Sequence, residues 1–307
     1  MSPQFPAFVV EGALVYSNLL ALLSIGLTIT YITTGVPNFA QGSFALFGSY
    51  TALTLLYTLK IHPYASVPLA FAVGGLAGVA VYALALKPLL KREASIVTLM
   101  IATLAVDLIL LGFFGAYSDF LEGLTGKSAK KFIFTPYDFS IFGFKAILLF
   151  STFAIFLLLV SLSALLYGTK FGIALRASME NPELAEVMGV NVARTRTFSW
   201  FLSGALASTA GCFLPFRQEI VPLTGSLIIV SIFAASIVGG ITSIYGSVLG
   251  SYIVGFSESL LTFIISLAFG QILVYSRVIS LIMMLIALVL APKGLAGVVK
   301  KKWSIYS

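Results

Sequence analysis

Few side chains in this 307-residue sequence could do chemistry, and their scarcity limits what that chemistry is. There is one cysteine, Cys212, inside an apolar run, so no intrachain disulfide and no thiolate metal cluster can be built. The one histidine, His62, precedes Pro63 and reads as a loop residue rather than a metal ligand, since a zinc site needs several such ligands. Gly126-Lys127-Ser128 has the ending of a phosphate-binding loop, but the first glycine of that motif would fall on Leu121 and no strand precedes it. No nucleotide site, metal or other cofactor is expected, and the chain is not expected to be an enzyme. If ATP is used, another subunit binds it.

Two acids stand out because they lie within apolar runs: Asp107 in Ala105-Val106-Asp107-Leu108-Ile109, and Glu258 in Gly255-Phe256-Ser257-Glu258-Ser259. A charged residue at the centre of a bilayer costs roughly 3 kcal/mol on insertion scales, so both should face the interior of a helix bundle. No Lys or Arg is close enough in depth to pair with them simply. Each is either a structural carboxyl, protonated or bonded to Ser and Tyr hydroxyls, or a group along a solute path. Two amides, Asn38 and Gln41, open another apolar run beside Gly42. Pro37 should end the preceding helix and Asn38 should cap the next. That arrangement suits either a plain interhelical turn or a helix head that faces a cavity.

The elements that must hold these groups follow from composition. Apolar residues make up 59% of the chain and charged ones only 9%, against roughly 25% in a soluble domain. With a mean hydropathy of +1.07, water cannot be the solvent for most of its surface. A soluble enzyme, a disordered regulator and a nucleic-acid-binding domain are excluded, and the net charge of +7 reflects basic residues between membrane segments. Apolar stretches suited to the bilayer occur near 12–34, 39–59, 64–86, 95–117, 146–168, 197–215, 226–241, 246–269 and 275–291. Helices are the only element that satisfies its own backbone in lipid, which predicts an all-α polytopic bundle of eight or nine membrane segments. The stretches 39–59 and 226–241 are the candidates for broken or re-entrant helices.

Basic clusters set the orientation. Lys87, Lys91 and Arg92, then Lys170, Arg176, Arg194 and Arg196, then Lys293, Lys300, Lys301 and Lys302 fall on one side if every stretch crosses. That side is assigned to the cytoplasm, with the C-terminus, and the N-terminus lies outside if the count is nine. Met1 to Glu11 lacks the basic start of a cleavable signal. The 118–145 segment forms the external loop, although Lys127, Lys130, Lys131 and Lys145 run against the bias.

The polar segment 169–196 carries a compact helix signal: Asn181 as cap, Pro182 at the first position, Glu183 in the first turn and Gly189 just past the end. Leu184, Val187 and Met188 share one face of this two-turn helix, apart from Glu183 and Glu186. The acids disfavour adhesion to anionic lipid and favour docking to a partner's groove. A third stretch is rich in small residues, with Ser236 to Gly240 and Gly246 to Gly250 in patterns that let helix backbones touch. Gly239 belongs to the same set, and Gly246-Ser247 weakly echoes Gly42-Ser43.

These stretches together resemble the inner-membrane permeases of ABC importers for branched-chain amino acids, in particular the LivH-type branch. The N-terminal signature of that family is matched at Gly26, Leu27, Tyr31, Gly35, Asn38, Phe39, Ala40, Gly42, Gly48 and Tyr50, with Gln41 where His is usual and Ser49 where Ala is usual. Its cytoplasmic loop is matched at Gly172, Ala174, Arg176, Ala177, Asn181, Ala185 and Gly189, and its later motifs at Gly239, Gly240, Gly246, Gly250, Pro292, Gly294, Leu295 and Gly297. The resemblance implies a single permease domain in the cell membrane, spanning the lipid bilayer as a multi-pass protein. Its partners would be a second permease subunit, two cytoplasmic ATPases and an extracytoplasmic substrate-binding protein, with no nucleic acid. It makes 169–196 the ATPase-coupling loop, with Arg176, Asn181, Glu183, Ala185, Glu186, Met188 and Gly189 as its working residues. Asn38, Gln41, Gly42, Asp107 and Glu258 become the candidates for the translocation path. Related permeases carry urea or short amides, which keeps those substrates as an alternative. An ion-coupled transporter titrating Asp107 and Glu258, or an assembly subunit with no path of its own, are readings from other classes.

Overall fold

The structure, a computed structural model, describes residues 7–141, 143–269, 276–290 and 294–295. Pro292, Lys293, Gly297 and the lysines at 300–302 lie outside them, as do the first six residues. Among the described residues the bundle is helical apart from its connecting loops and one short hairpin. Helix α1 (Ala7–Thr34) is apolar all round and buried along nearly its whole length from Val15 to Thr30, the mark of a central helix. It packs against α9 (Val192–Phe213), α10 (Thr224–Gly239) and α11 (Ile244–Phe269). Helix α9 in turn contacts α2 (Gln41–Thr58) and α3 (Val67–Val81).

Among the described residues six helices are long and apolar enough to cross a membrane. The remaining stretches of the nine, at 39–59, 226–241 and 275–291, correspond to α2, α10 and α12 (Ser276–Leu290). Helix α10 has only 16 residues and α12 has 15, so each spans about 24 Å or less along its axis.

Local sequence explains the breaks. Helix α1 stops before Pro37, where Gly35 takes a left-handed backbone (φ +72°) that other residues avoid. Pro88 cannot donate to the carbonyl four residues back, and the rod between α3 and α4 (Lys87–Lys91) widens into a π turn at Tyr82–Leu86. Helix α5 (Ile96–Thr125) buries one stripe, Leu99, Thr103, Asp107, Leu110, Phe114, Ser118 and Leu121, at spacings of four or three, and leaves its other faces open. It runs further than the 118–145 boundary allows: 118–125 is still helix, and the loop begins at Gly126.

That loop carries a hairpin of β1 (Ser140–Ile141) and β2 (Phe144–Lys145) leading into α6 (Ala146–Gly168). It is strapped to the end of α9 by backbone bonds, Phe132 exchanging both with Ile220 and Phe134 N–H donating to Pro215 O. Lys130 pairs with Asp119 at 2.6 Å, and that carboxylate raises the lysine above its ordinary value, but both are 61% exposed, so the pair adds little stability. The polar segment after α6 folds as α7 (Lys170–Glu180) and α8 (Pro182–Val187).

Candidate functional site

The turn between α1 and α2 brings Asn38 and Gln41 together, both fully buried. Asn38 does not cap α2 in the expected way. Its Oδ1 accepts from Ala40 N–H, closing an Asx turn, while its Nδ2 donates to Gln41 Oε1 at 3.1 Å. Gln41 Oε1 also accepts from Ser203 Oγ at 2.8 Å, and its Nε2 donates to the Leu23 carbonyl at 3.2 Å. The amide therefore joins α1, α2 and α9, facing protein rather than lipid. Ser49, the other departure from the resembled signature, donates to Gly211 O at 2.6 Å and closes the same α2–α9 seam.

Immediately beyond Gln41, two helix starts meet. Helix α2 opens Gln41-Gly42-Ser43 and α10 opens Thr224-Gly225-Ser226. A side chain at Gly42 would fall on the Gly225 carbonyl, and one at Gly225 would fall 2.7 Å from Ser43 Cα, so the two starts are in backbone contact. Asp107 of α5 lies across them, 8% exposed: Ser43 donates to Oδ1 and Ser226 donates to Oδ2 at 2.8 Å. The sequence reading found Asp107 but missed both serines. The signal was there in the repeated Gly-Ser, yet the copy singled out, Gly246-Ser247, packs against Gly239 instead.

Glu258 of α11 is 6% exposed and collects hydroxyls from three other helices: Tyr16 OH at 3.1 Å, Ser231 Oγ at 2.9 Å, and Ser280 Oγ. Among the described residues no Lys or Arg nitrogen pairs with either acid within 4 Å, but one cation comes near Glu258 through its tyrosine. Arg217, at the end of α9, lies with its guanidinium 3.9 Å from the centre of the Tyr16 ring and donates to Ser259 Oγ. It lies just past the 197–215 stretch, beyond the turn Leu214–Phe216 that follows α9, and its contact with Tyr16 joins residues 201 positions apart.

A cavity of about 300 Å³ lies between α2, α3 and α5. Its walls include Phe47, Thr51 and Thr54 of α2, Val73 of α3, and Phe113 and Tyr117 of α5, with the Thr54 and Tyr117 hydroxyls bonded to each other at 2.8 Å.

The glycines of the small-residue stretch mark close crossings. Gly239 abuts Gly246 and Ser247, and Gly250 faces Ala235 and Gly239, while Ser236 Oγ donates to the Ser24 carbonyl at 3.3 Å. Gly240 follows α10 with φ +104°.

Against the start of α9, α8 starts and stops as its sequence predicts. Asn181 Oδ1 accepts from Leu184 N–H at 3.0 Å, Pro182 opens the helix, and Gly189 (φ +85°) ends it in a conformation that suits glycine. Ala185 is buried against its neighbours. Leu184, Val187 and Met188 are 59%, 83% and 77% exposed, and Glu183 and Glu186 are also exposed. Arg176 of α7 stacks 4.8 Å over the Tyr167 ring, fixing α7 to the end of α6.

Known proteins share this sequence over most of its length. Residues 9–288 match the family described as branched-chain amino acid transport system / permease component. A probable branched-chain amino acid transport permease protein LivH of Methanocaldococcus jannaschii is 62% identical over 295 residues, covering 96% of this chain and 93% of that protein. The high-affinity branched-chain amino acid transport system permease protein LivH of Escherichia coli K12 is 25% identical over 312 residues, covering 97% and 98%. Among solved structures, PsaBC from Streptococcus pneumoniae in complex with Fab superposes with a TM-score of 0.51 at 16% identity over 94% of each chain, a likeness of fold. The matches run through the α1–α2 turn, the paired helix starts and α8 alike, and the chain belongs to the branched-chain amino acid transport permease family.

Proposed function

We propose that this chain is the membrane-spanning permease of an ATP-driven importer for branched-chain amino acids, working with a second permease subunit, two cytoplasmic ATPases and an extracytoplasmic receptor. The relatives named for branched-chain amino acid transport support the cargo. The observation that carries the mechanism is the bare apolar face of α8, three large side chains held in water by a capped helix between α7 and α9. A helix end so presented fits a groove on another protein. In this reading the 87–92 and 169–196 segments and the C-terminus lie in the cytoplasm, and the loop after Gly126 lies outside.

ATP can move the permease between its two accessibilities only if the closed ATPase pair binds one of them more tightly, and α8 with α7 is where that preference is felt. Arg176, Asn181, Ala185 and Gly189 keep the element in shape; Glu183, Glu186 and Met188, with Leu184 and Val187, make its contact surface. Asp107 and Glu258 lie along the path, and Asn38, Gln41 and Gly42 hold the start of α2 beside it.

The test is reconstitution of the assembled importer with Glu183→Lys or Val187→Asp. Both positions are exposed, so permease stability should change by only about 0.5 kcal/mol. Uptake and cargo-stimulated ATP hydrolysis should be abolished while the permease remains in the membrane. Unchanged uptake, or uptake by this chain alone driven by an ion gradient and indifferent to ATP, overturns the reading.

A further inference from the structure

We propose that a groove on the lipid-facing side of the bundle, floored by α2 and walled by α3 and α5, holds the acyl chain of an anionic membrane lipid whose headgroup meets Lys127 and Lys60. The inference needs only that these helices cross a bilayer, so it stands whatever cargo the permease moves. Two independent observations carry it. The first is the groove. Both α3 and α5 pack on α2, whereas α5 approaches the α3 rod at the π turn Tyr82–Leu86. The cavity of about 300 Å³ lies in the gap between them, and Leu69 of α3 and Phe113 of α5, on its two walls, are 48% and 50% exposed. It therefore opens toward the surroundings of the bundle rather than toward its centre. Most wall residues are aromatic or aliphatic, and the Thr54 and Tyr117 hydroxyls satisfy each other. Water, which needs about two to four polar partners to settle, is poorly served there, and a hydrocarbon chain needs none.

The second observation is positive charge at one end of that groove. Phe47, Tyr50 and Thr54 of the cavity wall are followed on the same face of α2 by Tyr57, at spacings of three or four. Lys127 holds its Nζ 5.1 Å from the centre of the Tyr57 ring, and Tyr57 OH donates to the Ser128 carbonyl at 2.9 Å, which fixes the start of the loop over this stripe. Lys60 follows just past the end of α2. Both lysines are exposed, and among the described residues neither has a carboxylate within 4 Å, whereas Lys130 and Lys131 are paired with Asp119 and Glu219. Glu122 of α5 also lies near Tyr57 and accepts from Ala129 N–H at 3.5 Å, so two unpaired lysines stand against one acid. That surplus suits a phosphate headgroup. From Tyr57 back to Phe47 the helix rises about 15 Å, half of a hydrocarbon core of roughly 30 Å. A lipid with its phosphate at Lys127 thus lays its chain along the cavity within one leaflet.

The experiment reconstitutes the full chain, with its partner subunits, in phosphatidylcholine vesicles doped with phosphatidylglycerol that carries a photoreactive diazirine on its acyl chain. Adducts mapped by mass spectrometry should fall on the segments 47–55, 69–73 and 113–117. A phosphatidylcholine probe with the same chain should label those segments at least about fivefold less. Lys127→Gln and Lys60→Gln, at exposed positions that leave the fold alone, should each lower phosphatidylglycerol labelling about fivefold, the share of one lysine beside an anionic headgroup, and leave the phosphatidylcholine probe unchanged. Val73→Phe, which fills the cavity and keeps both lysines, should remove the groove adducts of either probe. Equal labelling by the two headgroups, labelling indifferent to both lysine variants, or adducts only elsewhere overturns the site. So do crosslinks that join these segments to a second permease subunit and shut the lipid out.

Discussion

Gln41 shows how a polar side chain becomes structural inside an apolar bundle. Its amide takes a hydrogen from Asn38 and another from Ser203 and gives its own two to the Leu23 and Ser203 carbonyls, so it has no surplus for lipid or solute. An amide supplies a donor and an acceptor at once, which is the chemistry this three-helix junction demands. Replacing it by leucine leaves buried partners unpaired, at a cost of about 1–3 kcal/mol. Gln41→Leu should therefore lower the thermal unfolding midpoint of the purified importer while its membrane insertion is unchanged. An unchanged midpoint would show that the junction tolerates the loss. The sequence placed Asn38 and Gln41 at a helix head, but whether that head met a cavity or protein depended on Ser203, which is 162 residues away from Gln41.

At the scale of elements, contact is decided by where side chains are missing. Helices α2 and α10 touch at Gly42 and Gly225, α3 and α9 at Gly74, Gly78 and Gly204, and α10 and α11 at Gly239, Gly246 and Gly250. Lipid tails are as apolar as leucine, so close backbone approach and hydrogen bonds across helices must supply the association. Gly42→Ala should cost about 1–3 kcal/mol, because its methyl meets a backbone carbonyl rather than a yielding side chain. Gly112→Ala, on an open face of α5 with no atom within 4 Å, should be neutral. Comparing the yield and thermal stability of the two variants tests whether crossing geometry, rather than glycine content, governs the bundle. Equal behaviour would refute it.

Across the whole molecule, two buried carboxylates tie the outer helices to the centre. Asp107 fastens α5 to α2 and α10, and Glu258 fastens α11 to α1, α10 and α12. The Glu258 cluster is the polar anchor of α12, whose Ser280 is fully buried among otherwise apolar contacts. Glu258→Ala should cost roughly 3 kcal/mol, as three buried hydroxyls lose their shared acceptor together. Hydrogen exchange should rise first in α12, before the α1–α9 core opens. Uniform exchange across the bundle would mean that α12 is held by packing alone.

Much of this architecture is local and so was written in the sequence. Hydropathy marks the helices, Pro37 and Gly35 end α1, and Asn181, Pro182 and Gly189 bound α8, because each depends on residues within a turn or two. The carboxylates were legible for the same reason: a charge in an apolar run is conspicuous wherever it folds. Their partners were not. Ser43 and Ser226 look like any other serines until α2 and α10 meet start to start, and Arg217 looks like a loop residue until the fold lays it over Tyr16. Spacing along the chain specifies which face a residue occupies, whereas the residue it meets is settled by helix crossings between segments far apart in sequence, and only the folded bundle fixes those.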